Sequence, residues 1–193
     1  MTDLNAVKVF HLNRELLNAD LVAIEQNHGV KILPEAQPVG TNDDIFYPQF
    51  PAAIRQTAKE MSAYYEVFYS LENWIRDTVS DALLLAHGEN WWASSVPQEV
   101  RDNVANNAQR ERDAAMSTRS EEQIDYTTFG ELGVIIESNW DAFSDTFNNR
   151  KGVKSVLGRL NLLRGPIAHC SNLTEDEVLR LRLSLQDWFR LMQ

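Results

Sequence analysis

The stretch that decides the fold class is YYEVFYSLENWIRDTVSDALLLA, residues 64–86. Its apolar residues recur at three- and four-residue steps, the spacing of one face of an α-helix: Tyr64, Tyr65, Phe68, Leu71, Ile75, Val79, Ala82 and Leu83. No glycine or proline interrupts the chain between Pro51 and Ala86. We therefore predict one long helix over this range, with a wide apolar face.

The rest of the chain shows the same helical periodicity. Pro97 suits the first turn of a more polar helix, PQEVRDNVANNAQRERDAAM. Thr128 and Glu131 have the spacing of a capping box, as have Thr174 and Glu177, so helices are predicted over FGELGVIIESNWDAFSDTF and over EVLRLRLSLQDWFRLM. Between them, another helix is predicted from the apolar stripe of Val153, Val156, Leu157, Leu160 and Leu163. Few segments alternate with a period of two, and the pattern therefore predicts an all-α bundle.

The first quarter of the chain is organised differently. Residues 5–26 have the apolar spacing of a helix, and HGVKILPEAQPVGTNDDIFYPQFP follows with four of the six prolines. This composition is typical of an extended connector. We predict an N-terminal helix with a connector over residues 1–50, and a helical domain over residues 51–193.

Composition argues against three classes of protein: membrane-spanning, secreted, and disulfide- or zinc-stabilised proteins. The longest apolar runs are too short to span a bilayer and the N-terminus lacks the layout of a signal peptide, so we expect a cytoplasmic protein without membrane contact. Cys170 is the single cysteine, which excludes an internal disulfide and a cysteine zinc cluster. We predict a small buried side chain there rather than a reactive thiol.

Two interpretations are open for Trp91 and Trp92. The rings either pack over the ends of the bundle or form a surface that stacks on bases or binds a partner.

Charge is distributed unevenly. The chain carries −10, yet residues 146–174 contain no Asp or Glu and five basic residues, so the remainder carries −15. Arg150, Lys151, Lys154 and Arg159 form this basic segment together with Arg164. An RNA-binding face on the next-to-last helix is one interpretation, and a chance cluster on a solvated helix face is the other.

The basic segment ends in LRGPIAHC, residues 163–170. On an uninterrupted helix Arg164 and His169 would point about 140° apart. Pro166 predicts a turn between helices, which would let both side chains face one site. There an imidazole can take a proton from a ribose 2′-OH while a guanidinium stabilises charge on the phosphate, without a metal or other cofactor. The alternative is a structural histidine, because an arginine and a histidine at this spacing also occur by chance.

The order of these elements resembles the HEPN superfamily, whose hallmark is an arginine, four to six residues and a histidine between the last two core helices. The likeness is closest to bacterial proteins related to the C-terminal HEPN domain of a eukaryotic transcript-surveillance endonuclease. It is carried by YSLENWIRDTV (69–79), DYTTFGELGVIIESNWDAF (125–143) and LLRGPIAHCSNLTEDE (162–177).

The resemblance implies a HEPN-like bundle that forms a homodimer through the motif-bearing helices and acts on RNA as a metal-independent endoribonuclease. Members often serve as toxins or in antiviral defence, and a regulatory protein partner fits either role. Arg164 and His169 match the defining pair, while a supporting polar patch is matched by Glu72, Asn73 and Arg76. Gly165 stands where active members commonly carry a polar residue. The alternative is therefore a non-catalytic HEPN module, an assembly or regulatory subunit that binds protein or RNA.

Overall fold

A computed structural model describes residues 47–192 of the chain. The predicted N-terminal helix and most of the connector lie outside these residues. A 3-10 turn, Tyr47–Gln49, precedes the helical domain, and the contacts divide the chain into the units Met1–Phe50 and Pro51–Gln193.

Seven α-helices and one 3-10 helix make up the domain. They are α1 (Ala52–His87), α2 (Trp91–Ser95), α3 (Gln98–Asp113), the 3-10 helix (Gln123–Tyr126), α4 (Phe129–Ser138), α5 (Trp140–Phe143), α6 (Arg150–Ala168) and α7 (Glu175–Leu191). Within residues 47–192 there is no strand. The all-α prediction is confirmed, as are the long first helix and both capping boxes, at Thr128 and Thr174.

The long helix α1 organises the core. It contacts α2, α4, α5 and α6, while α6 packs between α4 and α7. The apolar face of α1 is buried only from Phe68 onward, so the first turns of the helix, before that residue, carry no buried side chain. The most deeply buried positions include Val79 and Leu83 of α1, Leu132 of α4, Leu160 of α6 and Trp188 of α7.

The segment predicted as one helix from residue 129 to residue 147 is broken at Asn139. This residue leaves helical geometry (φ −119°, ψ 33°) and separates α4 from α5. Its side-chain amide donates hydrogen bonds to the Ile135 carbonyl at 2.9 Å and to the Ser95 carbonyl at 3.0 Å. The second bond ties the break to α2. A tertiary contact therefore overrides the local helical pattern.

The predicted turn at Gly165–Pro166 is wrong, because α6 continues through both residues to Ala168. Proline disfavours helical geometry at the preceding residue partly because its Cδ meets that residue's Cβ. Gly165 has no Cβ, so this restriction is relaxed. Pro166 also lacks the N–H that would donate to the Leu162 carbonyl, and one missing bond near a helix end is tolerated.

The helix ends instead in a Schellman motif four residues later. The Ser171 N–H donates to the Pro166 carbonyl at 2.8 Å, and the Cys170 N–H donates to the Ile167 carbonyl at 3.3 Å. Cys170 takes the left-handed conformation (φ 55°) that this motif requires. Its side chain is exposed, so the prediction of a buried cysteine is wrong. The residue lies past the helix end, beyond the apolar stripe that faces the core.

Two glycines of α6 give a matched test of this explanation. A Cβ at Gly158 or at Gly165 would meet nothing within 4 Å beyond the neighbouring residues. We expect Gly158→Ala to raise the free energy of unfolding by about 0.5–1 kcal/mol, the usual gain for this change within a helix. Gly165→Ala should not raise the free energy of unfolding in this way, because its new Cβ meets the ring of Pro166. Denaturant unfolding of the two variants measures the difference, and equal gains would contradict the explanation.

Candidate active site

A cleft of about 520 Å³ lies between α1 and α6 and contains the motif arginine. Charged side chains and two tyrosines line it. Its lining includes Tyr65, Tyr69, Glu72, Arg76, Arg119 and Arg164. Three of these residues are arginines, which come from α1, from α6 and from the segment between α3 and α4, so the cleft can bind an anion.

Glu72 holds the motif arginine in place. One of its carboxylate oxygens accepts a hydrogen bond from Arg164 Nε at 3.0 Å, and the other accepts one from Arg76 Nη2 at 2.5 Å. The Glu72 and Arg76 side chains are only 12% and 13% exposed, whereas Arg164 is 36% exposed. Among the described residues the Nη atoms of Arg164 have no hydrogen-bond partner. One edge of the guanidinium is therefore anchored and the other is available to a ligand.

Arg76 extends this network to the loop before α4. It donates to the Thr127 carbonyl at 3.1 Å and to Asn73 Oδ1 at 3.3 Å. The Asn73 amide in turn donates to the Tyr69 carbonyl at 2.7 Å. The structure thus brings all three residues of the proposed polar patch to one wall of the cleft, and Glu72 contacts the motif directly.

Two charged residues of the cleft were missed in the sequence analysis. Arg119 and Asp125 come from the segment between α3 and α4 and line the cleft. Arg119 forms an ion pair with Glu111, and its guanidinium lies 5.0 Å from the centre of the Tyr126 ring. The hydrogen bond to Glu111 raises the pKa of Arg119. No local pattern identifies this residue, because its position depends on how the loop returns to α1.

His169 lies outside this cleft. It is the residue at which α6 ends, and its side chain is exposed. No side-chain hydrogen bond to it is present in the described part of the chain. Because α6 is continuous from Arg164 to Ala168, the two motif side chains keep the divergent directions of an unbroken helix. The prediction that they converge within one chain is wrong.

A family model described as Swt1-like HEPN matches residues 66–193, more than half of the chain. The chain belongs to the Swt1-like HEPN family. The match includes the whole Glu72–Arg164 network and both capped helices. A HEPN domain of this kind is a HEPN-type ribonuclease or a related module. Neither the curated proteins nor the solved structures contain a significant match to this chain.

The basic residues of the HEPN domain do not share one face of α6. Lys154 Nζ pairs with Glu137 at 2.6 Å and Arg150 donates to the Glu137 carbonyl at 2.8 Å, on the side of α4. Arg159 pairs with Asp187 of α7 at 2.8 Å, on another side. Lys151 is exposed and forms no ion pair within residues 47–192. These basic residues therefore do not share a single face, because acidic residues distant in sequence fold against this segment.

Trp91 and Trp92 pack against the core of the HEPN domain. Both rings are partly buried, and they meet edge-to-face with their centres 5.5 Å apart. This favours the packing interpretation over a base-stacking surface.

Two features are absent from residues 47–192, a metal-binding cluster of side chains and a membrane-spanning helix. In that range no cluster of three or more His, Cys, Asp or Glu side chains is arranged to bind a metal ion. None of the helices described above is both long and apolar enough to cross a bilayer.

Proposed function

We propose that this protein is a HEPN-type endoribonuclease that acts as a homodimer and needs no metal. The observation that carries the proposal is the state of Arg164: Glu72 anchors its Nε, while its Nη atoms face a cleft. A guanidinium held in this way presents a preorganised charge to a phosphate. Family membership supports RNA as the polyanion.

The chemistry follows from the two motif side chains. The His169 imidazole accepts the proton of a ribose 2′-OH, and the 2′ oxygen attacks the adjacent phosphorus. The bond to the 5′ oxygen of the next nucleotide breaks, and that oxygen takes a proton from the solvent, which leaves a 2′,3′-cyclic phosphate and a 5′-hydroxyl end. Arg164 stabilises the charge that develops on the phosphate oxygens. DNA lacks the 2′-OH and cannot follow this path.

A homodimer brings together the two motif side chains, which point apart within one chain. Arg164 and His169 diverge on α6, and His169 is exposed at the helix end. A symmetric dimer through the motif-bearing helices places His169 of one protomer near Arg164 of its partner. The flanks of α6 then carry four basic residues that bind adjoining RNA phosphates: Arg150, Lys151, Lys154 and Arg159. An enzyme of this type fits a role as a toxin or an antiviral effector under control of a regulatory protein, in the cytoplasm.

One observation favours the alternative, a non-catalytic HEPN module that binds a protein or RNA as an assembly or regulatory subunit. Beyond its neighbours in the chain, a Cβ at Gly165 would meet nothing within 4 Å, so no other part of the described fold excludes the polar side chain that active members commonly carry. The residue present here offers no such group.

Incubation with RNA in the presence of EDTA separates the two functions. We expect the wild-type protein to cut single-stranded RNA and to leave 2′,3′-cyclic phosphate ends, which mass spectrometry of the products identifies. DNA of the same sequence should stay intact. Intact RNA at protein concentrations where sedimentation shows a dimer would instead favour the non-catalytic module.

A further inference from the structure

Two tyrosines stand exposed at the mouth of the cleft. Tyr65 and Tyr69 are 62% and 61% exposed and lie one turn apart on α1. Their ring centres are 6.1 Å apart, and the ring planes are inclined by 34°. Exposed aromatic rings bury little area in the fold, so their contribution to the stability of the domain is small. Their faces are available to a flat ligand.

The tyrosines separate a charged cavity from an apolar one. On one side is the cleft that holds Arg164, and on the other is a groove of about 630 Å³ lined by Ile54, Ala58 and Met61. Tyr65 lines both cavities, and so does Ile167 of α6. An anion-binding surface and an apolar aromatic surface are therefore contiguous along α1.

The charge of the cleft indicates which ligand fits this pair of surfaces. Three arginines and two carboxylates line it, and the Nη atoms of Arg164 have no hydrogen-bond partner among the described residues. A phosphate can meet the free edge of Arg164 while the base of the same or the next nucleotide meets a tyrosine ring. Stacking needs a base whose face is uncovered, and a base within a duplex is already stacked on both sides.

We propose that Tyr65 and Tyr69 form a stacking platform for unpaired bases of the RNA whose phosphate binds at Arg164. The proposal rests on the proposed function for the identity of the nucleic acid. It makes the two tyrosines specificity-determining residues, because they select single-stranded over double-stranded RNA. A second copy of the chain is the competing occupant of these rings.

Binding of a short single-stranded 2′-O-methyl RNA that contains 2-aminopurine tests the platform. Such RNA has no free 2′-OH and cannot be cut, and 2-aminopurine fluorescence falls when the base stacks. We expect wild-type protein to quench this fluorescence. The double variant Tyr65→Ala/Tyr69→Ala should bind about 5- to 100-fold more weakly and lose the quenching. Tyr65→Phe/Tyr69→Phe keeps both rings and should retain both effects.

Leu85→Ala serves as the matched control, because Leu85 is an exposed apolar residue of the same helix, 20 positions from Tyr65. It should bind and quench like the wild type. Wild-type behaviour of the double alanine variant would overturn the platform, and so would a dimer that dissociates in that variant, since the rings would then bind a second copy. If Arg164→Ala stops cleavage while Tyr65→Ala/Tyr69→Ala binds and quenches like the wild type, the platform fails and the ribonuclease stands. If quenching depends on the tyrosines but natural RNA is not cleaved, the platform stands and the proposed ribonuclease activity fails.

Discussion

Replacement of Arg164 by alanine is expected to lower the rate of RNA cleavage by at least about 100- to 1000-fold. The variant removes the only group of α6 that reaches into the cleft with a permanent positive charge. Without it, the charge on the attacked phosphate lacks a fixed partner, while Glu72 stays bonded to Arg76. Cleavage of a labelled RNA in EDTA under single-turnover conditions measures the loss, and circular dichroism confirms that the variant is folded.

Two further variants sharpen this expectation. Arg164→Lys keeps the charge but lacks the forked geometry, so we expect most of the loss to remain. Arg182→Ala removes an exposed arginine of α7 and should cut RNA at the wild-type rate. Comparable cleavage rates for wild type and Arg164→Ala would show that Arg164 has no catalytic role. They would favour the alternative function, a non-catalytic binding module.

Replacement of His169 by alanine is expected to lower the same rate by about 100- to 10,000-fold, the usual contribution of a general base. The side chain is exposed and makes no hydrogen bond within residues 47–192, so its loss should leave the free energy of unfolding almost unchanged. Equilibrium unfolding checks this second expectation. A folded variant that cuts RNA as fast as the wild type would contradict the assignment of His169 as the base.

The two inactive variants together test the geometry of the dimer. In a mixed dimer of Arg164→Ala and His169→Ala, one of the two composite sites receives an intact arginine from one protomer and an intact histidine from the other. Mixing should therefore restore part of the activity. If each site used both residues of one chain, mixing would restore nothing, and the proposed arrangement across the dimer would be wrong.

Local sequence signals predicted those features whose causes are local. The caps at Thr128 and Thr174 depend on residues three positions apart, and the apolar face of α1 depends on a repeat along one helix. The Gly165–Pro166 prediction was wrong for a local reason as well, since the general restriction before proline is weaker at glycine. Here a more exact use of the same physical rule gives the correct helix.

The site depends on contacts that no local pattern contains. Glu72 and Arg164 are separated by 92 positions, and only the resemblance to the HEPN superfamily placed them together. The charge count along residues 146–174 left an RNA-binding face and a chance cluster open, and it could not show that Glu137 and Asp187 fold against different sides of α6. Arg119 enters the cleft from a loop whose path depends on packing throughout the domain. Pairings of this kind are set by tertiary structure.

The Schellman end of α6 also makes the protein suitable for distance measurement. It leaves the single thiol of the chain exposed at Cys170, next to His169. A spin label attached there needs no engineered cysteine, and each protomer carries one. In a symmetric dimer, pulsed electron paramagnetic resonance would then report a single inter-label distance between the two helix ends. A change in that distance when RNA is added would show that the two α6 helix ends, one from each protomer, move relative to each other.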